Sequence, residues 1–253
     1  MEIGKDISGD RVISRLKEEH IDTSFLVVDQ NDTTDFTTII YSPQQGSVLL
    51  ISRGKGRLEA DNIPWDSLQA NWFYVTSVEG NLNILEKLEN TFISGTQKSE
   101  IAWNPGKREF ADTAGLLKLL PQIELLILNR NEASLLTAVP WDDIGLLLKK
   151  TAELPSKTKL ITDGQRGAYY FDGTDWWHAD AYHMENPEVT GAGDAFGSAF
   201  VTGLIHGYSI QQCLHFAAAN AASVVTYPGA KKGILTKEQN VEWLKRIIEI
   251  RKL

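Results

Sequence analysis

From Trp72 onward, strand-length apolar runs alternate with segments of helical period, and this restricts the fold more than any other feature of the chain. Trp72 to Val78 reads as a strand, and Asn83 to Phe92 as a helix with Ile84, Leu85, Leu88 and Phe92 inward. Ile101 to Trp103, Leu125 to Leu128 and Lys159 to Thr162 read as further strands. Leu116 to Leu120, Glu132 to Leu136 and Ile144 to Leu154 read as the helices between and around them. Alternation of this kind specifies an α/β fold, a mainly parallel sheet with helices on both faces. Ligands of such sheets bind beyond the carboxyl ends of the strands, so function is expected in the segments just after them.

The flanking regions read differently. Residues 1 to 20 form a loop and an amphipathic helix with Val12, Ile13 and Leu16 on one face. Residues 24 to 53 carry Phe25 to Val28, Phe36 to Tyr41 and Val48 to Ser52, separated by turns at Gln30 to Thr33 and Ser42 to Gly46, a set of antiparallel strands. Gly167 to Tyr182 reads as a hairpin around Asp172 to Asp175. Trp176 and Trp177 point to opposite strand faces there, which suits packing better than stacking on one base. Ile210 to Thr226 is an alanine-rich helix, Pro228 to Ala230 a turn, and Asn240 to Ile250 a terminal amphipathic helix. The 253 residues suffice for a single domain spanning 1–253, in which 24–53 is an insertion.

The chemistry concentrates at Gly191-Ala192-Gly193, followed at once by Asp194 and a helical run of Ala195, Phe196, Ala199, Phe200 and Leu204. A glycine turn into a helix start gathers free amides and a partial positive charge, an anion site suited to phosphate. An acid beside bound phosphate needs another task, and taking a proton from an attacking hydroxyl is the direct one. The plainer alternative is a helix merely capped by Asp194. The phosphate loop of nucleotide hydrolases ends in Gly-Lys-Ser/Thr, and the dinucleotide fingerprint needs a glycine where Phe196 stands, so both are excluded.

Three other segments follow strands. Asn129-Arg130-Asn131-Glu132 combines an amide and a carboxylate suited to hydrated Mg²⁺, or else a helix cap with its capping-box partner. Thr162-Asp163-Gly164-Gln165-Arg166-Gly167 reads on its own residues as a turn into the hairpin, with Arg166 a phosphate partner or a solvated arginine. Trp103 to Glu109 follows another strand end and contains the polar groups Asn104 and Glu109.

Thr190-Gly191-Ala192-Gly193-Asp194-Ala195-Phe196 resembles the second signature of the ribokinase family, also called the phosphofructokinase-B sugar kinases. The resemblance implies a ribokinase-like fold and ATP-dependent phosphorylation of a hydroxymethyl group on a sugar. Asp194 would be the base, and Gly191, Ala192 and Gly193 would hold the transferring phosphoryl group. Asn129 and Glu132 match the family's Asn-x-x-Glu motif, with Glu132 on the magnesium side. Thr162, Gly164 and Gly167 match its nucleotide-side turn. Asn104 matches an Asn-Pro stretch at the edge of the sugar pocket, with Glu109 nearby. Glu188 and Thr190, with carbonyls near Val224, Tyr227 and Gly229, would form a monovalent-cation (K⁺) site. The strands in 24–53 would be a β lid, which in the family often pairs with a second subunit and so implies a homodimer. Gly4, Asp6 and Gly9 resemble a stretch well inside the usual domain. The earlier strand, sugar-binding aspartate and paired glycines of the family are not found in the sequence, so either a shortened form or loss of the N-terminal part is expected.

Two rivals remain at this point: a nucleoside (adenosine-type) kinase, and a truncated relative that binds nucleotide without turnover. A net charge of −8 opposes general nucleic-acid binding. Cys213, the single cysteine, forms no intrachain disulfide, and the five histidines show no metal spacing. With neither an apolar span nor a signal sequence, a cytoplasmic location is expected, without a membrane partner.

Overall fold

The computed structural model describes residues 1–42, 46–54, 57–93, 98–185, 187 and 189–253. The chain divides into two compact units, Met1–Gln69 with Asn83–Leu88, and Ala70–Leu82 with Glu89–Leu253.

In the first unit β1 (Glu2–Gly4) leads into α1 (Ile7–Glu18), and β2 (Val27–Asp29) returns beside β1. Asp6 caps α1, its Oδ1 accepting from the Gly9 amide at 2.8 Å and its Oδ2 from the Thr34 amide at 2.9 Å. These bonds hold its carboxyl below the usual range. β3 (Phe36–Ser42) and β4 (Gly46–Ser52) form an antiparallel hairpin, whose connecting residues 43–45 lie outside the described ones. The expectation of one antiparallel set over 24–53 needs correction at its first strand, because β2 pairs in parallel with β1. The last helix of this unit is α2 (Asn83–Leu88). The expected helix to Phe92 changes at Glu89 into a wider turn over Glu89–Ile93.

The second unit is built on β5 (Trp72–Val75), β6 (Glu100–Trp103), β7 (Leu125–Asn129), β8 (Thr158–Thr162), β9 (Ala168–Phe171), β10 (Trp176–Ala179) and β11 (Ile250–Lys252). They form one sheet in the order β11-β10-β9-β8-β7-β6-β5. β5 to β8 are parallel, and β9, β10 and β11 continue the sheet antiparallel. The helices are α3 (Thr113–Leu119), α4 (Arg130–Thr137), α5 (Ile144–Ala152), α6 (Ala192–Ile205), α7 (Ile210–Val224) and α8 (Lys237–Trp243). No helix among the described residues is long and apolar enough to cross a membrane.

The sheet core follows from two-residue periodicity. Leu125 and Ile127 join a buried cluster with Phe196, Phe200, Cys213, Leu214 and Ala217 of α6 and α7. Leu126 and Leu128 point the other way and are equally buried, which explains the unbroken apolar run of a central parallel strand. α6 and α7 approach closely: a Cβ on Gly203 would stand 2.8 Å from the Cys213 sulfur. Buried Asn220 of α7 ties the start of α6 in place. Its Nδ2 donates to the Ala195 carbonyl at 2.9 Å, and its Oδ1 accepts from the Leu235 amide at 3.0 Å. The expected terminal helix is also corrected. α8 ends at Trp243, and the chain closes as β11 on the open edge of β10.

Candidate active site

The glycine turn before α6 is held by the loop beside it. Gly191 has φ +81°, and a Cβ there would lie 2.4 Å from the Ala230 carbonyl oxygen, so only glycine fits on both counts. The Ala192 amide donates to the Val189 carbonyl at 3.2 Å and closes the turn, so it is not one of the amides turned outward. That corrects the expectation that Gly191, Ala192 and Gly193 serve together. The free donors are one step later. Gly193 and Asp194 occupy the first helical turn, and among the described residues their amides meet no acceptor. Gly193 is exposed, and a Cβ there would meet nothing within 4 Å, so its main chain is open to a ligand.

Asp194 is exposed at the same turn. Its charge reaches two other groups. Burial first, and then Asp194, raises the Tyr74 phenol far above its usual range. Burial chiefly raises the Glu132 carboxyl too. The bonds from Asn129 oppose that, and Asp194 adds to it. Two carboxylates therefore share one region. A cation there would relieve their repulsion.

Asn129 ends β7 and caps α4. Its Oδ1 accepts from the Glu132 amide at 3.0 Å, while Glu132 Oε2 accepts from the Asn129 amide at 2.7 Å. The capping box is thus present, and it leaves Glu132 Oε1 for a ligand. Among the described residues no three His, Cys, Asp or Glu side chains cluster as a metal site. Mg²⁺ needs less: one or two carboxylates, with waters and phosphate oxygens completing its shell. The Glu132 and Asp194 carboxylates fit that donor set.

Thr162 ends β8 opposite Asn129 in register. The following turn is closed by Asp163 N–H donating to the Gly167 carbonyl at 2.8 Å, so the plain-turn reading holds as geometry. Gly167 is fixed by the protein itself, since with φ +90° its Cβ would collide with the Ala179 carbonyl of β10. Arg166 is half exposed and is tied to the turn through Asp163. Its Nε and Nη2 donate to Asp163 at 3.0 and 2.8 Å. Buried Asp163 also takes Arg130 Nη1 at 2.6 Å. Burial alone would raise the Asp163 carboxyl, but the two arginines overcome it and hold it below the usual range.

A cavity of about 460 Å³ joins these segments. Asn129, Thr162, Gly164, Gly167, Ala192 and Gly193 line it, together with Gln165, Tyr182 and Met184 and a wall of Phe196, Ala218, Ala221, Ala222 and Val225. Sequence reasoning missed that wall. The signal was the alanine run of α7, whose small side chains leave room beside α6 as well as allowing close packing. Tyr182 is fixed by its hydroxyl, which bonds His215 Nε2 at 2.8 Å and the Arg246 carbonyl at 2.9 Å.

Asn104 and Glu109 do not line this cavity. Asn104 Nδ2 donates to the Ile127 carbonyl at 2.9 Å and pins the exit of β6 to β7. Glu109 is fully buried. Its Oε1 accepts from the Val78 amide at 2.5 Å, from Ser77 Oγ at 3.0 Å and from the Gly80 amide at 3.3 Å. Its carboxyl organises the 77–80 loop and is withdrawn from any ligand, which corrects the sugar-binding expectation. Thr190 lies in the turn before α6, and Glu188 falls outside the described residues.

The chain is 26% identical to the ribokinase of Haemophilus influenzae over 251 residues, 96% of this chain and 79% of that protein. Its fold matches that of an Escherichia coli protein solved with ATP and Mg²⁺, with a TM-score of 0.82 at 20% identity, over 97% of this chain and 82% of the other. It also matches the adenosine kinase of Sinorhizobium meliloti, with a TM-score of 0.80 at 18% identity over 97% and 76%. The family model for pfkB family carbohydrate kinases matches residues 2–237, and with the acid, the open amides and the cavity at the ends of β7 and β8 in view, the chain belongs to that family.

Proposed function

We propose that this chain transfers the γ-phosphoryl group of ATP to a hydroxymethyl group of a sugar. The observation that carries the reading is the convergence at the start of α6. There Gly193, with its open amide, lines a cavity shared with Asn129, Thr162 and Gly164, and the exposed Asp194 follows it, its charge reaching Glu132. Asp194 takes the proton of the acceptor hydroxyl as its oxygen attacks phosphorus, and the bond to the leaving ADP oxygen breaks. The open Gly193 and Asp194 amides meet charge on the phosphoryl oxygens, donors already in place before the reaction. Glu132, its backbone geometry set by Asn129, would hold Mg²⁺ with Asp194 nearby. Bound there, the ion supplies neutralisation of the phosphate charge.

A second reading, a nucleoside acceptor, is favoured by the fold shared with adenosine kinase. ADP production from ATP with ribose, fructose or adenosine as acceptor separates the two. ATP binding without ADP production across the panel would refute both and favour a non-catalytic relative.

In this reading the chain acts as one kinase domain, with 24–53 as its lid-like part. Phe36, Ile40, Val48 and Leu50 share one face of the β3–β4 hairpin, and all are more than half exposed. A second copy would cover that face, and sedimentation of the wild type against Ile40→Asp tests it. Activation by K⁺ near Thr190 would show as a rise in turnover when K⁺ replaces choline. The proposed location is the cytoplasm, to be checked by fractionation.

A further inference from the structure

We propose that Arg130, Asp163, Arg166 and Trp141 form a positioning clasp that fixes the metal-side pair Asn129 and Glu132 relative to the nucleotide-side turn 162–167. Metal ion and nucleotide would then reinforce each other's binding. The inference rests on the kinase reading above.

Asn129 and Thr162 form the last rung between β7 and β8. Past that rung the two chains part, one into α4 and the other into the hairpin turn, and the sheet no longer holds them together. The clasp spans the gap. Arg130, the first residue of α4, reaches across to Asp163 at 2.6 Å, and Arg166 closes on the same carboxylate from the far end of the turn. Trp141 lies against both guanidinium groups, with ring centroid distances of 4.3 and 4.8 Å, and its carbonyl accepts from Arg130 Nε at 2.8 Å.

Thr162 and Gly164 line the cavity, whereas Asp163 between them does not, and its side chain is only 2% exposed. The clasp therefore stands behind the ligand surface and acts through its neighbours. A buried ion pair adds little net stability over an apolar substitute, whereas its fixed fork geometry restricts how the two segments can move. Both ligands meet on the same phosphates, so a fixed spacing between their protein contacts appears as coupling between their affinities.

The test is calorimetric titration of the protein with β,γ-methylene-ATP, once with Mg²⁺ and once with EDTA. Arg166 is half exposed, so Arg166→Gln leaves the Arg130–Asp163 pair and the fold in place, which its melting temperature checks. The ratio of the two affinities should fall about five-fold in Arg166→Gln, with affinity in EDTA nearly unchanged, and Arg166→Lys should restore part of the ratio. Asp163→Asn should lower the ratio at least as far. An unchanged ratio in a folded Arg166→Gln protein overturns the clasp. So does an equal loss with and without Mg²⁺, which would mean direct contact with the nucleotide. Failure of the wild type to bind the analogue at all would instead sink the kinase reading, and the clasp with it.

Discussion

Replacing Glu109 by alanine separates a buried organiser from a substrate ligand. In the wild type one carboxyl oxygen takes the Val78 amide, the Gly80 amide and the Ser77 hydroxyl, and the side chain has no exposed surface. Alanine strips an acceptor from three donors at once. Each donor left unsatisfied costs about 1–3 kcal/mol where water cannot replace the acceptor, and some water will enter the space vacated, so a total near 4 kcal/mol is expected. For a chain of this length roughly 2–4 °C of melting temperature is lost per kcal/mol, giving a fall on the order of 10 °C. Glu109→Gln keeps an oxygen in the same place and should lose only about a third of that. Differential scanning calorimetry on both variants gives the stability. Acceptor KM, measured well below the lowered melting point, gives the other half of the answer. A wild-type melting temperature with a KM raised tenfold or more would refute the reasoning and return Glu109 to the substrate.

Two further outcomes follow from contacts deeper in the second unit. A Cβ on Gly197 would stand 2.6 Å from the Tyr74 hydroxyl, a buried group with no partner in the described structure. Gly197→Ala should lower the melting temperature, Tyr74→Phe should not, and the double variant should recover most of the loss, a coupling readable in a double-mutant cycle. Additive effects would contradict that contact. Asp163 has a folded pKa below its unfolded one. Its contribution to stability is thus fully present above the unfolded value near 3.9 and is lost as pH falls through the folded value. The gap in melting temperature between the wild type and Asp163→Asn should therefore narrow as pH drops below about 4, and a gap that widens with acid would reverse the assignment.

The periodicity of the chain reveals the parallel strands and the position of each functional segment at a strand end, because a buried central strand such as Leu125–Leu128 can only be apolar throughout. The partner of a short strand is not local information. Val27–Asp29 pairs with Glu2–Gly4, at a separation no turn signal spans. The last residues read as helix because charges interrupt their isoleucines. They form β11 because β10 would otherwise leave an open edge, which only the assembled sheet reveals. Glu109 looked like a ligand because a buried acid has no sequence mark of its own, and its donors lie about thirty residues earlier. Asp163 was more accessible to inference. An acid three positions before Arg166, in a turn next to a strand, is a local ion pair, and only Arg130 and Trp141 required the fold. At the glycine turn the sequence placed the open amides one residue too early, since the Ala192 amide closes the turn and those of Gly193 and Asp194 are the open ones.

The central claim is that the acid at the start of α6 accepts a proton beside amides that face the phosphoryl group. Single-turnover kinetics of Asp194→Asn with the best acceptor of the panel, together with calorimetry of β,γ-methylene-ATP, tests it most directly. A loss of roughly 10²–10⁴-fold in the rate with nucleotide affinity nearly unchanged is expected. A rate within a few-fold of the wild type would contradict the account.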